Sequence, residues 1–331
     1  MEFTAFQKKA LGFLKAAMKK GRLSHFYLFV GKRGVGRKEV ALWFSKALNC
    51  KEGMGDVCGR CSNCMKIEEG VFPDVIHMGP VEKSLRIQQI RELSSTLSYP
   101  PLEGRFRTVI VEEAESLTEE ASNAFLKTLE EPSPYNLFIL ICQQKEMLLP
   151  TIVSRAQCVY LSDISEDSIK SYLIGKGVSE SDATFISRIS QGSIRDALDL
   201  IERGISKKRE RFLRILFDLK ECSLREIFRL IEDLSKKSRK GDDLELNDMI
   251  TIWRCFLRDM MLYRLGCEDN MLINSDLFHT LNRFSDTVSV DDIISMIRLL
   301  DQFQRDMDQR RNMEISMERA IFGIRELIGK I

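Results

Sequence analysis

The chain has 331 residues, which is long for one domain, and its hydrophobic fraction of 44% is ordinary for a globular protein. Its 50 basic and 49 acidic residues nearly cancel, which argues against a uniformly basic nucleic-acid-binding protein but leaves room for a local basic patch. The first residues contain no apolar signal core, and no run approaches the ~18 uncharged apolar residues that a membrane span needs. We therefore expect a cytoplasmic protein of two or three domains without a membrane partner.

The first predicted elements are a helix, a strand and a glycine-rich loop. Apolar residues recur at helical spacing over 5–20, and the apolar run 27–30 predicts a buried strand. Glycines follow at positions 31, 34 and 36, and a helical stretch begins at about residue 38. A strand, a glycine loop and a helix start form the arrangement in which backbone N–H groups face a phosphate.

This loop departs from the G-x-x-x-x-G-K-[ST] signature at two positions. Gly31 and Gly36 hold the two glycine positions, with Gly34 between them. Arg37 stands where the lysine belongs, and Lys38 stands where the Mg²⁺-binding hydroxyl belongs. Because a lysine repels a metal ion, the pattern predicts a nucleotide fold that does not hydrolyse nucleotide itself. A glycine-rich turn unrelated to phosphate is the alternative for this stretch alone.

Four of the nine cysteines form a cluster: Cys50, Cys58, Cys61 and Cys64. In a reducing compartment such clustering favours a metal over disulfides, and four thiolates suit a structural zinc ion. The spacing also resembles the start of the bacterial iron–sulfur pattern, but that pattern needs a cysteine at position 68, which is Glu68. Zinc is therefore the prediction, with an iron–sulfur cluster and free thiols as alternatives.

Strands and helices then alternate up to residue 161. Further strands are predicted at 74–78, 108–111, 137–141 and 159–161, and helices at 87–97 and from about 118 to 131. This alternation predicts a three-layer α/β domain with a largely parallel sheet. Ligand-facing groups then belong at the carboxyl ends of the strands, where the glycine loop, the Glu112–Glu113 pair and the segment after Ile141 fall.

The acidic pair Glu112–Glu113 occupies the place where a nucleotide fold holds Mg²⁺ and a catalytic base. The usual residue at the first position is Asp, and Glu112 is one methylene longer. A solvated acidic loop is at least as good an interpretation of this pair taken alone.

From residue 165 onward the strand signals stop. Short helices are predicted over 165–203, and the charge-dense segment 207–211 is expected to be a solvated linker. Beyond it, apolar residues run at helical period without site chemistry, which favours a scaffold or an assembly surface.

Together these motifs resemble the clamp-loader ATPases of bacterial replication, within the AAA+ class. The segments that carry the resemblance are the glycine loop, the cysteine insert, 21–25, 87–93, 121–132, 150–155 and 192–198. The resemblance covers roughly residues 5–200. It implies an AAA+ α/β domain at 1–163 with a zinc module at about 50–64, a small helical lid at 164–206 and an all-α collar at 207–331 for oligomerisation.

The family pattern also implies partners and roles. The expected partners are the motor subunits (gamma/tau) and delta in a hetero-pentameric ring, with the sliding clamp and primed DNA reached through the complex. Arg37, Lys38 and Glu112 fit the family's stator-like member, which need not bind ATP. Zinc is then the structural cofactor, and Mg·ATP is not expected to bind productively.

Two arginines match family motifs. Ser154-Arg155-Ala156 corresponds to the family's Ser-Arg-Cys motif with the cysteine lost, so the resemblance implies that Arg155 is an arginine finger acting in trans. An arginine in a local salt bridge is the alternative. Arg195 matches the second sensor arginine, and its presence leaves weak nucleotide or phosphate binding open.

Three functions are therefore compared. The first is a ring subunit of the DNA polymerase III holoenzyme, a DNA-directed DNA polymerase assembly, without intrinsic ATPase in isolation. The second is an ATP-hydrolysing AAA+ motor subunit, which Arg37 and Lys38 oppose. The third is a zinc-dependent nucleic-acid-binding module, which the near-zero net charge does not favour.

Overall fold

The computed structural model describes residues 2–130, 132–239, 243–285 and 288–329. They divide into two compact units. The first contains Met1–Ile169 and Ser190–Asp196, and the second contains Lys170–Ile189 and Ala197–Ile331. Of the segments that carry the family resemblance, 121–132 includes Glu131, which lies outside the described residues.

A five-stranded parallel sheet forms the centre of the first unit. Its strands are β1 (Phe26–Val30), β2 (Val75–Met78), β3 (Arg107–Val111), β4 (Asn136–Cys142) and β5 (Gln157–Tyr160). They lie in the order β2-β3-β4-β1-β5, and every neighbouring pair is parallel. Strands β1, β3 and β4 are buried along their whole length, as the continuous apolar runs in β1 and β4 predict.

Helices cover both faces of this sheet. They are α1 (Lys8–Lys19), α2 (Arg37–Asn49), α3 (Ser62–Glu68), α4 (Ile87–Leu97), α5 (Glu119–Glu130) and α6 (Pro150–Val153). Residues of α1 and α2 share one apolar cluster with alternate strand residues such as Tyr27 and Phe29. Residues of α4, α5 and α6 share a second cluster with Phe26 and Leu28. The expected three-layer α/β domain is confirmed.

The start of the first helix differs from the prediction. The chain forms a 3₁₀ turn at Glu2–Phe6, and α1 begins only at Lys8. Between them the buried amide of Gln7 donates hydrogen bonds to the carbonyls of Val35 (3.0 Å) and Ser162 (2.8 Å). These two long-range bonds fix Gln7 outside helical geometry, which the local apolar period cannot reveal.

The second unit is helical throughout its described part. Helices α7 (Glu166–Gly175) and α9 (Ile194–Glu202) cross the boundary between the units, and α8 (Glu180–Ile189) belongs to the second unit. The remaining helices are α10 (Ile205–Asp218), α11 (Leu224–Arg239), α12 (Leu244–Arg264), α13 (Phe278–Ser285), α14 (Val290–Asp308) and α15 (Met313–Gly329). In the described ranges, no helix has both the length and the apolar composition needed to cross a bilayer.

The expected linker at 207–211 is wrong, because this segment lies inside α10. Arg209 is buried and donates hydrogen bonds to Asn274 Oδ1 (3.0 Å) and to both carboxyl oxygens of Asp276. Its guanidinium also lies 4.3 Å from the ring centre of Phe185. The charged residues of this segment therefore belong to a packed helix, and their partners are distant in sequence.

A buried ion pair fixes the loop between α4 and β3. Asp74 is fully buried and accepts hydrogen bonds from the backbone N–H groups of Leu102, Glu103 and Gly104 at 2.7–2.8 Å. The buried guanidinium of Arg107 lies 3.4 Å from the same carboxylate. Burial alone would raise the pKa of Asp74, but these N–H groups and the arginine hold it below its ordinary value.

We predict that Asp74→Asn lowers the free energy of unfolding by about 3 kcal/mol, because it leaves the Arg107 charge buried without its partner. Urea denaturation measures this loss. The stability from Asp74 is present above its unfolded-state pKa of about 3.9 and is lost as the pH falls through its lower folded-state pKa. The same change at the exposed Asp56 is the control, and equal destabilisation by both variants would contradict the prediction.

Candidate functional sites

The glycine loop joins β1 to α2, as the motif predicts. Gly36 precedes α2 with φ +94°, and Gly34 has φ +79°. A Cβ at Gly34 would lie 1.9 Å from Ser193 Oγ, and one at Gly31 would lie 2.6 Å from the Leu161 carbonyl oxygen. Close approach by neighbouring segments therefore requires glycine at positions 31 and 34.

A cavity of about 240 Å³ lies beside this loop. The predicted residues that line it are Gly34, Gly36, Arg37, Lys38, Glu112, Glu113 and Arg195. The structure thus brings together seven residues from three separate parts of the sequence. Arg33 and Glu39 also line it and were not predicted, although their positions beside the motif were a signal that could have identified them.

Most of the charged side chains around this cavity are paired with one another. Lys38 Nζ lies 2.7 Å from Glu112 Oε1. Arg33 and Glu113 approach to 3.4 Å, and Arg195 and Glu39 to 3.5 Å. Three of the four cationic side chains that line the cavity are thus matched by carboxylates, and the fourth is Arg37.

The pKa of the Glu112 carboxyl is strongly lowered by its neighbours. The neighbouring His77, whose Nδ1 lies 3.7 Å away, and the Lys38 ammonium lower the pKa of Glu112 to about 2, against the effect of burial. Glu112 is therefore ionised at neutral pH, and the Lys38 ammonium lies in direct contact with its carboxylate. Since an ammonium repels Mg²⁺, these residues do not fit a magnesium ion.

Arg37 is suited to binding an anion, whereas the Glu112–Lys38 pair is not suited to binding a cation. Its Nη1 is buried, and no hydrogen-bond partner is found for this atom in the part of the chain that the structure describes. Burial lowers the pKa of Arg37, and the nearby Glu115 and Cys142 oppose that shift. A guanidinium stays protonated at any physiological pH, so the loop keeps one cationic donor beside its backbone N–H groups.

We predict that Lys38 and Glu112 are energetically coupled by up to about 1 kcal/mol, the range for partly exposed pairs. A double-mutant cycle with Lys38→Met and Glu112→Gln at pH 7 measures this coupling from urea unfolding. Because the pKa of Glu112 is lowered in the folded state, the coupling should weaken as the pH falls from about 4 toward its value of about 2. Coupling that is zero at pH 7 would contradict the ion pair.

The four clustered cysteines come together as predicted. Their sulfur atoms all lie within 4.8 Å of one another. Cys50 directly follows α2, Cys61 precedes α3 and Cys64 lies in its first turn, so two helix ends and one loop set the geometry. A tetrahedron with metal–sulfur bonds of ~2.3 Å has sulfur–sulfur edges of ~3.8 Å, which the observed spacing accommodates. None of the nine cysteines forms a disulfide, and this group could hold a metal ion.

A buried lysine lies beside this cysteine cluster. Lys46 precedes Cys50 by one helical turn, is only 4% exposed and forms an ion pair with Glu68. Burial lowers the pKa of Lys46, and the charge on Cys64 opposes that shift. A divalent metal on four thiolates carries a net charge of about −2, so a nearby ammonium would offset it.

Arg155 lies just after α6, at the surface. Its side chain is 42% exposed, with Nη2 donating to Glu130 Oε1 at 2.9 Å and Nη1 donating to the Thr151 carbonyl at 3.1 Å. The isolated chain therefore contains the local salt bridge that was the alternative interpretation. Partial exposure still leaves the guanidinium accessible from outside.

Two family models and a relative from Bacillus subtilis match this chain. A family model described as DNA polymerase III, delta subunit matches residues 6–165, and one described as DNA polymerase III, delta subunit, C terminal matches residues 205–325. DNA polymerase III subunit delta' of Bacillus subtilis is 27% identical over 329 residues, which is 98% of each chain.

Other relatives match in part. DNA polymerase III subunit tau/gamma of Haemophilus influenzae is 35% identical over 207 residues, which is 60% of this chain but 30% of that protein. Among solved structures, a DNA polymerase III gamma subunit-related protein from Thermotoga maritima has 20% identity and a TM-score of 0.49, covering 96% of this chain and 99% of that one.

The parallel sheet, with its glycine loop after β1 and its helices on both faces, is an AAA+ nucleotide fold. The two family models together span most of the chain, and the relative that matches over 98% of both chains is a DNA polymerase III subunit delta'. The chain therefore belongs to the delta-prime family of DNA polymerase III clamp-loader subunits.

Proposed function

We propose that this chain is a stator-like member of the clamp-loader ring in the DNA polymerase III holoenzyme. In this role it helps to load the sliding clamp on primed DNA and has no productive ATP site of its own. The 2.7 Å contact of Lys38 with Glu112 supports the absence of a productive ATP site, because it puts an ammonium where Mg·ATP chemistry needs a metal ion. The alternative of an ATP-hydrolysing motor subunit would require that contact to open.

The proposed partners are the motor subunits and delta in a hetero-pentameric ring, acting in the bacterial cytoplasm. The matches to tau/gamma and delta' proteins support membership of such a complex. We retain the division into an AAA+ domain (1–163), a lid (164–206) and a collar (207–331) as part of this proposal. The clamp and the DNA would be contacted through the assembled ring.

Arg155 is proposed to act on the ATP site of the adjacent motor subunit. A guanidinium offers two parallel donors, which match the oxygens of a transferring phosphoryl group and stabilise the charge that develops there. Glu130 and Thr151 hold the arginine at the surface until a neighbouring subunit presents a phosphate. The bidentate shape, and not charge alone, is what this role needs.

We predict that Arg155→Ala abolishes hydrolysis at the adjacent site, on the order of a 10³-fold loss there, while the ring still assembles. DNA- and clamp-stimulated ATPase of the reconstituted complex is the measurement, with native mass spectrometry to verify assembly. Arg155→Lys should lose nearly as much, because it lacks the fork geometry. Arg105→Ala, at another exposed arginine, should change nothing.

Glu130→Gln separates this role from a local structural one. If Arg155 acts in trans, Glu130→Gln leaves the ATPase activity of the ring unchanged or raises it, whereas Arg155→Ala abolishes the activity at the adjacent site. If the arginine serves only its ion pair with Glu130, both variants behave alike. Full clamp-loading activity in an assembled Arg155→Ala ring would refute the proposal.

Zinc is the metal we propose for the cluster Cys50, Cys58, Cys61 and Cys64. Four thiolates complete a tetrahedral shell and leave no open position, so the role is structural. The ion would tie the end of α2 to the start of α3 through the intervening loop. The Lys46 ammonium would lower the cost of burying the thiolate charge.

We predict one zinc ion per chain in protein purified without chelators, and loss of that metal in Cys64→Ser. Elemental analysis and dye-monitored zinc release measure the metal content. The midpoint temperature of thermal unfolding should fall when the metal is removed. Cys222→Ser, outside the cluster, is the matched control and should keep the metal. Iron with visible absorbance, or protein without any bound metal, would contradict the assignment.

A further inference from the structure

Positive charge is concentrated at the beginning of the sequence. Residues 1–22 contain five lysines and one arginine against one glutamate, a net charge of +5, whereas the whole chain carries +1. The rest of the chain is therefore net negative. Such asymmetry is typical of proteins that use one segment to contact a polyanion.

These charges lie mostly on α1, on the side opposite the core. Ala10, Leu14 and Met18 are buried in the first unit. The exposed side carries Lys8, Lys9, Gly12, Phe13, Lys15, Ala16, Lys19 and Lys20. At 3.6 residues per turn these residues form two rows along the helix. One row contains Lys8, Lys15 and Lys19, and the other contains Lys9, Phe13 and Lys20. The small residues Gly12 and Ala16 lie between the two rows.

Most of these lysines lack a carboxylate partner among the residues that the structure describes. Lys15 forms an ion pair with Asp56 at 3.3 Å. Within the described part of the chain, no ion pair is found for Lys8, Lys9, Lys19 or Lys20. This contrasts with the cavity beside the glycine loop, where three of the four lining cations are paired with carboxylates.

Carboxylates of the loop between Cys50 and Cys58 lie on one side of these lysines. Lys15 and Lys19 line a cavity of about 560 Å³ together with Glu52 and Asp56 from that loop. These carboxylates would repel phosphates on that side. The row formed by Lys9, Phe13 and Lys20 faces away from them and offers the more favourable path.

The chemistry of the exposed side selects the partner. An amphipathic helix that lies in a membrane inserts its apolar side, but here that side is buried in the core. Phe13 is 43% exposed among the lysines, and an aromatic ring in a basic surface provides a stacking platform for an unpaired base. An acidic peptide would use the charges without needing the ring.

We propose that this α1 basic surface, consisting of Lys8, Lys9, Phe13, Lys19 and Lys20, binds single-stranded nucleic acid. The lysines neutralise successive phosphates, and the ring of Phe13 stacks on a base. From Lys8 to Lys20 the surface is ~18 Å long at 1.5 Å per residue, enough for a few nucleotides. This inference does not depend on Arg155 or on the state of the glycine loop.

The test is fluorescence anisotropy of the full chain with labelled oligo-dT at salt concentrations of about 50 to 200 mM. Four neutralised phosphates predict a slope of log K against log salt of about −3, since each contributes about −0.7 on a single strand. Lys9→Gln with Lys20→Gln should reduce the slope by about 1.4. Phe13→Leu should weaken binding about tenfold without changing the slope.

Control variants test whether the loss of binding is specific to the lysines of the α1 basic surface. Lys83→Gln with Lys127→Gln makes the same change in net charge at two exposed lysines outside α1 and should leave affinity and slope unchanged. Oligo-U tests whether the site accepts RNA as well as DNA, and binding of either strand supports the proposal. Circular dichroism and urea unfolding establish that each variant is folded.

Four results would overturn the proposal. They are absence of binding at the lowest salt, equal losses in the control pair, equal affinity for polyglutamate, or duplex DNA bound as tightly as the single strand with no effect of Phe13→Leu. The third would indicate an acidic protein partner, and the last would indicate charge contact alone.

Discussion

The ammonium of Lys38 lies 2.7 Å from a carboxyl oxygen of Glu112, at the point where the first turn of α2 meets the end of β3. The parallel sheet brings these two residues together, because the carboxyl ends of β1 and β3 open on the same edge. A metal ion and an ammonium cannot both occupy this position. The proposed division of labour, in which this subunit supplies an arginine to a neighbour and leaves its own loop unused, follows from that contact.

The pairing of charges extends beyond this contact. Arg33 with Glu113 and Arg195 with Glu39 complete a set of short-range pairs around one cavity. An ion pair also stabilises the fold itself, because the buried pair of Asp74 and Arg107 fixes the loop between α4 and β3. Four lysines at positions 8, 9, 19 and 20 have no ion pair within the described part of the chain, and Arg155 stays partly exposed in spite of its ion pair. In our proposals these are the two places where the molecule presents cations to partners.

The parts of this fold that the sequence predicts well are those set by local pattern. Continuous apolar runs predict the buried strands, glycine spacing predicts the loop, and cysteine spacing predicts the cluster, because each depends on residues close in the chain. The order of the strands and the joining of Arg195 to the glycine loop depend on long-range packing. The strand order was not predicted, and the expectation for Arg195 came from the resemblance to a family. Gln7 and Arg209 were misjudged for the same reason, since their decisive partners are 28 to 155 and 65 to 67 residues away.

In our proposal, Lys38 takes the place of the metal ion and makes the glycine loop unable to hold Mg·ATP. Isothermal titration calorimetry of Mg·ATP into the purified chain tests this most directly. The comparison is the double variant Arg37→Lys with Lys38→Thr, which restores the motif. We predict a Kd weaker than about 1 mM for the native chain and tighter, magnesium-dependent binding for the restored variant. Micromolar, magnesium-dependent binding by the native chain would contradict it.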